Sequence, residues 1–79
     1  MKLSKAFANR IDELLTKNNV SKYRLEKDTG IAHSTLTHIF KGDTKDVMLS
    51  SVAKVANFFN MTLADFFATG FDLTKIDFE

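Results

Sequence analysis

The chain is 79 residues long, 44% hydrophobic and 27% charged, with neither cysteine nor proline. That length holds one domain and not two, and its core is small enough to need most of its apolar residues. Without cysteine there are no disulfides and no thiolate metal site. Met1-Lys-Leu-Ser-Lys-Ala-Phe7 carries no long apolar run, so neither a signal peptide nor a membrane span is expected, and the cytoplasm is the expected compartment. The net charge of +1 hides an asymmetry: residues 1–45 hold nine Lys/Arg against five Asp/Glu, or +4, and residues 46–79 hold two against five, or −3. A basic first half suits a face for a polyanion, and an ordinary solvated surface of mixed charge accounts for it equally well.

Leu3, Phe7, Ile11, Leu14 and Leu15 recur at helical spacing and predict a first helix over residues 4–18, with Ser4 as N-cap and Asn18-Asn19 as the stop. Ser21 can cap a second helix over 22–29. Gly30 then supplies the positive φ that a sharp helix exit requires. A third helix over 33–40 stops before Gly42, and residues 43–47 read as a polar loop. Leu49, Val52, Val55, Ala56 and Phe59 mark one face of a fourth helix. Asn60-Met61 is a corner, and Thr62-Leu-Ala-Asp65 is a capping box with Asp in place of Glu, opening a short fifth helix to about residue 68. After Gly70 the apolar residues Phe71, Leu73, Ile76 and Phe78 are locally strand-like, with a break in phase at Thr74-Lys75.

The run from Leu25 to Ile39 therefore spells helix, glycine corner, helix. Leu25 should face back toward the first helix, and Ile31 should fill the elbow. Leu36 and Ile39 stand three apart on one face and should anchor the third helix inward. His33, Ser34, Thr37 and His38 are left on its other faces, and each can donate and accept hydrogen bonds when the imidazoles are neutral. The N-terminal end of that helix adds free N–H groups and a positive dipole, which favour a phosphate.

This pattern resembles the Cro/C1-type helix-turn-helix family of phage-repressor-like regulators. The resemblance runs from Phe7 to Phe67. It rests on Leu25, Gly30, Ile31, Leu36, Ile39 and Gly42, and continues through Leu49-x-x-Val52-x-x-Val55-Ala56-x-x-Phe59 into Met61-Thr62-Leu63-x-x-Phe66. It implies an all-α fold, a compact five-helix bundle of the lambda-repressor-like kind. Residues 1–70 would form the DNA-binding domain, and residues 71–79 a C-terminal tail, either a short strand or a dimer arm. The implied function is sequence-specific binding of double-stranded DNA and transcriptional regulation, expected as a repressor. Carried over by position, the base-reading residues are His33, Ser34, Thr37 and His38, and the phosphate-holding residues are Lys22, Arg24, Lys41 and Lys45.

Three positions depart from the family pattern. Glu26 stands where a small residue usually lets the two helices cross, so it should find a partner in Thr35 or in the backbone of the third helix. Ala32 stands where a capping Ser or Thr is common, at a cost of about 1 kcal/mol. Leu15 and Phe40 stand where many members pair an arginine with a glutamate, and should touch as an apolar replacement for the ion pair.

Other readings of the same residues are weaker. His33 and His38 could be plain surface residues. Their spacing of five does not align them for a metal, and with no third ligand neither a metal nor a cofactor is expected. The two histidines with Lys41 could cleave RNA, but they lie on one short helix without a cleft, so no enzyme is expected. Asn60-Met-Thr62 matches a glycosylation sequon only by coincidence where no secretion signal is present.

Six of the eight phenylalanines lie in the second half, and one helical face cannot bury both members of Phe58-Phe59 or Phe66-Phe67. Phe59 and one of Phe66 and Phe67 should enter the core. Phe58, Met61, Phe67 and Phe71 are candidates for a homodimer interface, unless the tail folds back over them. No small-molecule ligand or membrane partner is indicated. No sensor domain fits in this length, so control is expected from concentration, dimerisation or a partner protein, as in an antitoxin that represses its own operon. The alternative function is a protein-interaction module of the same fold.

Overall fold

Phe7, Ile11, Leu14 and Leu15 become one buried stripe of α1 (Leu3–Asn18) in the computed structural model, which describes residues 1–78. The helix starts one residue earlier than its sequence suggests. Lys2, not Ser4, is the N-cap, and the Lys2 carbonyl accepts the first bonds from Lys5 and Ala6. Ser4 is instead fully buried, and its hydroxyl has no partner among the described residues. Lys2 is held in place by a single parallel bridge to Asp77. Asn19 ends α1 in the left-handed region at φ 54°, and Asn18 Nδ2 donates to the Leu14 carbonyl at 2.8 Å.

Next come α2 (Lys22–Thr29) and α3 (His33–Lys41). Ser21 Oγ accepts from the Arg24 N–H at 3.1 Å, as its position before the helix requires. Gly30 takes φ 73° and its N–H returns to the Glu26 carbonyl at 3.0 Å, so the chain leaves α2 and turns within three residues. The turn is tied inward as well: Thr29 Oγ1 donates to the Leu25 carbonyl at 2.6 Å and accepts from the Ile31 N–H at 3.3 Å. Leu25, Ile31, Leu36 and Ile39 are all buried. Ala32 makes no side-chain cap, as an alanine must, and Gly42 closes α3 with its N–H on the His38 and Ile39 carbonyls.

The chain continues through α4 (Leu49–Phe58) and α5 (Leu63–Phe67). Val52, Val55 and Ala56 face the core, but Leu49, expected on the same face, is 65% exposed. It is the first residue of the helix and lies at the rim, where the loop before α4 leaves its side chain uncovered. Thr62 Oγ1 accepts from the Asp65 N–H at 3.0 Å, the expected cap of α5. α1 packs on α3, α2 on α4, and α5 on α4. Of the adjacent aromatic pairs, Phe66 is fully buried, edge-on to Phe7 at 5.6 Å between ring centres, while Phe58 and Phe59 pack half-buried against the core. Leu15 lies in that core and Phe40 packs against it.

Arg10 joins the two ends of the bundle, which its place in the sequence does not announce. It is 8% exposed; Nε donates to the Phe66 carbonyl at 2.8 Å and Nη2 to the Asp65 carbonyl at 3.0 Å, with Glu13 completing the pairing at 2.6 Å. The guanidinium thereby satisfies the last carbonyls of α5 and neutralises its negative end.

The tail is not a strand among the described residues. Asp72 Oδ1 accepts from both the N–H and the hydroxyl of Thr74, at 3.0 and 2.6 Å, and winds Leu73–Lys75 into a single 3₁₀ turn. That turn falls at the break in apolar phase. Beyond it Ile76 is buried and the Asp77 N–H donates to the Met1 carbonyl at 2.7 Å, so the tail lies against the start of α1. Glu79, the last residue of the expected tail, lies outside the described residues.

Candidate nucleic-acid interface

The burial of Leu36 and Ile39, at 2% and 3% exposure, determines which flank of α3 looks outward. Ser34 and His38 sit on the far side of the helix from them and are exposed, with Lys41 one turn on. His33 is exposed on the flank toward α2, and Thr37 is half-buried. The four positions expected to read bases thus share one projecting element, with Thr37 the least available.

Both imidazoles are engaged by carboxylates. His33 Nδ1 lies 2.5 Å from Glu26 Oε1, and His38 Nδ1 lies 3.0 Å from Asp43 Oδ1. Glu26 therefore does have a partner, but not Thr35 or the backbone of α3. Thr35 points to the opposite flank, where it lines a shallow groove with Lys45, Val47 and Ser51. His33 is the residue of α3 that leans toward α2, so it meets the carboxylate. Thr35, exposed beside His38, is a position on the outward surface that sequence reasoning did not include. Its placement opposite α2 depends on the rotation of α3 about its axis, which periodicity alone leaves loose.

The cationic residues frame this flank. Lys22 and Lys41 line a second groove, between α2 and α3, and the Lys22 ammonium sits 4.0 Å above the ring of Phe40. That contact holds the lysine beside α3. Arg24 is exposed and shares its guanidinium with Asp28 at 3.4 Å, an open pair worth little in water. Lys45 is exposed in the loop after α3, between Thr44 and Asp46. Tyr23, 72% exposed beside Lys22, adds a hydroxyl at the start of α2 that was also overlooked. An aromatic residue in the first turn after the Ser21 cap was the available signal. At the start of α3, Ala32 leaves the first N–H groups without a side-chain acceptor, so they remain open to an anion.

The arrangement can offer hydrogen-bonding atoms to base edges and positive charge to a backbone on each side of them. The groups proposed for dimer contact are distributed differently. Phe58, Met61 and Phe71 are half-buried against the chain's own core, and Phe71 stacks edge-on against Phe67 at 4.8 Å. Phe67 itself is 40% exposed and lines an apolar groove with Leu3, Val47, Leu49 and Phe71.

Residues 10–72 match the family model of the Cro/C1-type HTH DNA-binding domain. Comparison with curated proteins gives no match, and neither does comparison with solved structures.

Proposed function

As a member of the Cro/C1-type helix-turn-helix DNA-binding family, this chain, we propose, binds double-stranded DNA sequence-specifically and regulates transcription as a repressor. In this reading α3 enters the major groove. His33, Ser34, Thr37 and His38 meet base edges, while Lys22, Arg24, Lys41 and Lys45 hold phosphates on either side. The observation that carries it is the inward anchoring of α3 by Leu36 and Ile39, which leaves Ser34 and His38 projecting and exposed. Arg24 can exchange Asp28 for a phosphate at small cost, because an exposed ion pair contributes little.

A repressor of this size that reads a two-fold site does so as a homodimer. The groove around Phe67 and Leu49, with Phe71 in its lining, is the surface this reading assigns to the second copy, while Phe58 and Met61 pack against the core outside it. Binding-site selection from random duplexes, followed by gel retardation across a salt series, is the deciding experiment. The expected result is an enriched sequence with two related half-sites. If each subunit neutralises about four phosphates, the slope of log affinity on log salt should be near −3.6 per subunit. A pool that stays random, with no retardation of any duplex, removes the proposal.

A further inference from the structure

The two carboxylates against the reading helix have no evident use in holding DNA, since each places negative charge beside a polyanion. Each does, however, accept at the same atom of a histidine: Glu26 Oε1 at His33 Nδ1 and Asp43 Oδ1 at His38 Nδ1. A carboxylate accepts but cannot donate, so the proton of each ring must sit on Nδ1. The geometry points to Glu26 and Asp43 as positioning residues that set which atom each imidazole offers to a base. This inference rests on the proposed reading of DNA by α3.

With Nδ1–H committed, Nε2 is the remaining polar atom of each ring. In the neutral imidazole it is a lone pair, a hydrogen-bond acceptor. The major-groove partners for an acceptor are the exocyclic amines, N6 of adenine and N4 of cytosine; the O6 and N7 of guanine, both acceptors, repel it. The two pairs come from different elements, Glu26 from α2 and Asp43 from the loop after α3, so the same chemical choice is imposed from each side of the helix. Of the other charged groups nearby, Lys22 and Lys41 line the His33 groove and Lys45 and Asp46 the His38 groove. The lysines cannot accept from Nδ1–H, which leaves the carboxylates as the side chains that hold it. Glu26 is further restrained by burial: its side chain is 21% exposed, against 81% for His33.

The test uses the full chain at about pH 8. Glu26→Gln and Asp43→Asn keep the size of the side chain but set an NH2 donor beside the acceptor oxygen, so they can serve either tautomer. Glu26→Met and Asp43→Ala remove the oxygen. Long-range proton–nitrogen NMR correlations read the tautomer directly, and binding-site selection reads the base preference. The expected result is Nδ1–H in the wild type, with adenine or cytosine enriched at the contacted positions, and mixed tautomers with weaker preference in both amide variants. Glu26→Met and Asp43→Ala should give mixed tautomers and lose discrimination at one base position each by about fivefold, the worth of one hydrogen bond. Melting curves establish that each variant is folded, and the near-isosteric amide variants, which keep the side-chain size while releasing the tautomer, separate positioning from simple support of the fold.

Unchanged tautomers and unchanged preference in Glu26→Met and Asp43→Ala would overturn this inference alone. So would enrichment of guanine at the positions these histidines contact. A wild-type protein that enriches no sequence overturns the proposed function and this inference with it.

Discussion

Arg10 is a basic residue of the positively charged half that is spent on the fold. Its Nε and Nη2 hold the Asp65 and Phe66 carbonyls, and its guanidinium lies 5.7 Å from the centre of the Phe66 ring. Arg10→Met keeps the stem and removes both charge-assisted bonds, leaving the Phe66 carbonyl without its side-chain donor and the Asp65 carbonyl with the Ala68 N–H alone. The expected loss is about 2 kcal/mol, or roughly 10 °C in melting temperature for a domain of this size. A melt within a degree or so of the wild type would show that water replaces the guanidinium freely.

Asp72 works at the same scale on the surface. The Thr74 hydroxyl, and then the Thr74 N–H, hold its carboxyl below the ordinary value of 3.8. A carboxylate depressed in the folded state contributes in full above its unfolded value and loses that contribution as pH falls through the folded one. The Leu73–Lys75 turn should therefore loosen only in strong acid, and amide exchange at Thr74 should rise there. Asp72→Asn should remove that dependence while leaving the rest of the bundle protected.

At the scale of elements, the corner between α2 and α3 depends on one backbone conformation. A Cβ built on Gly30 meets nothing within 4 Å, so the demand for glycine is set by φ and not by space. Gly30→Ala should cost about 1–2 kcal/mol, visible as a lower midpoint in thermal or urea melts, without steric disruption. If the variant were as stable as the parent, the corner would have to be relaxing into another turn.

Under the proposed function α3 reads bases and the loop after it holds phosphate, and substitutions should divide likewise. Lys45→Ala should weaken every duplex alike and reduce the salt slope by about 0.9, the share of one phosphate. Ser34→Ala should change which sequence is preferred with little change in slope. Gel retardation against a panel of operator variants distinguishes these; a Lys45→Ala protein with altered preference and unaltered slope would reverse the two roles.

Across the whole molecule, the first and last segments are joined, and two of the large apolar side chains left exposed share one apolar groove. The tail returns Phe71 and Ile76 to the core and meets Met1 and Lys2. Leu49 at 65% exposure and Phe67 at 40% stay open on either side of the same groove. A homodimer formed there predicts that Leu49→Lys with Phe67→Lys yields a folded monomer in analytical ultracentrifugation. Operator affinity should then fall steeply with unchanged base preference, because two half-sites are no longer engaged together. Retention of the dimer by this double variant would move the interface elsewhere on the bundle. Among the described residues no helix is long and apolar enough to cross a membrane.

Much of this was legible in the chain itself, and the legible parts share a cause. Ser21, Gly30, Gly42, Thr62 and the Leu36–Ile39 pair act within a turn or two of their own positions, so capping, positive φ and helical period are enough to place them. The five helices and the inward side of α3 follow from those local rules. The tertiary structure decided what depends on distant neighbours. Arg10 binds carbonyls 55 and 56 residues away; Glu26 meets His33 and not Thr35; Leu49 is left at a rim; and the tail docks on Lys2. None of these carries a periodic signal, because each is settled by how helices rotate and stack on one another, and that is fixed only when the whole core is filled at once.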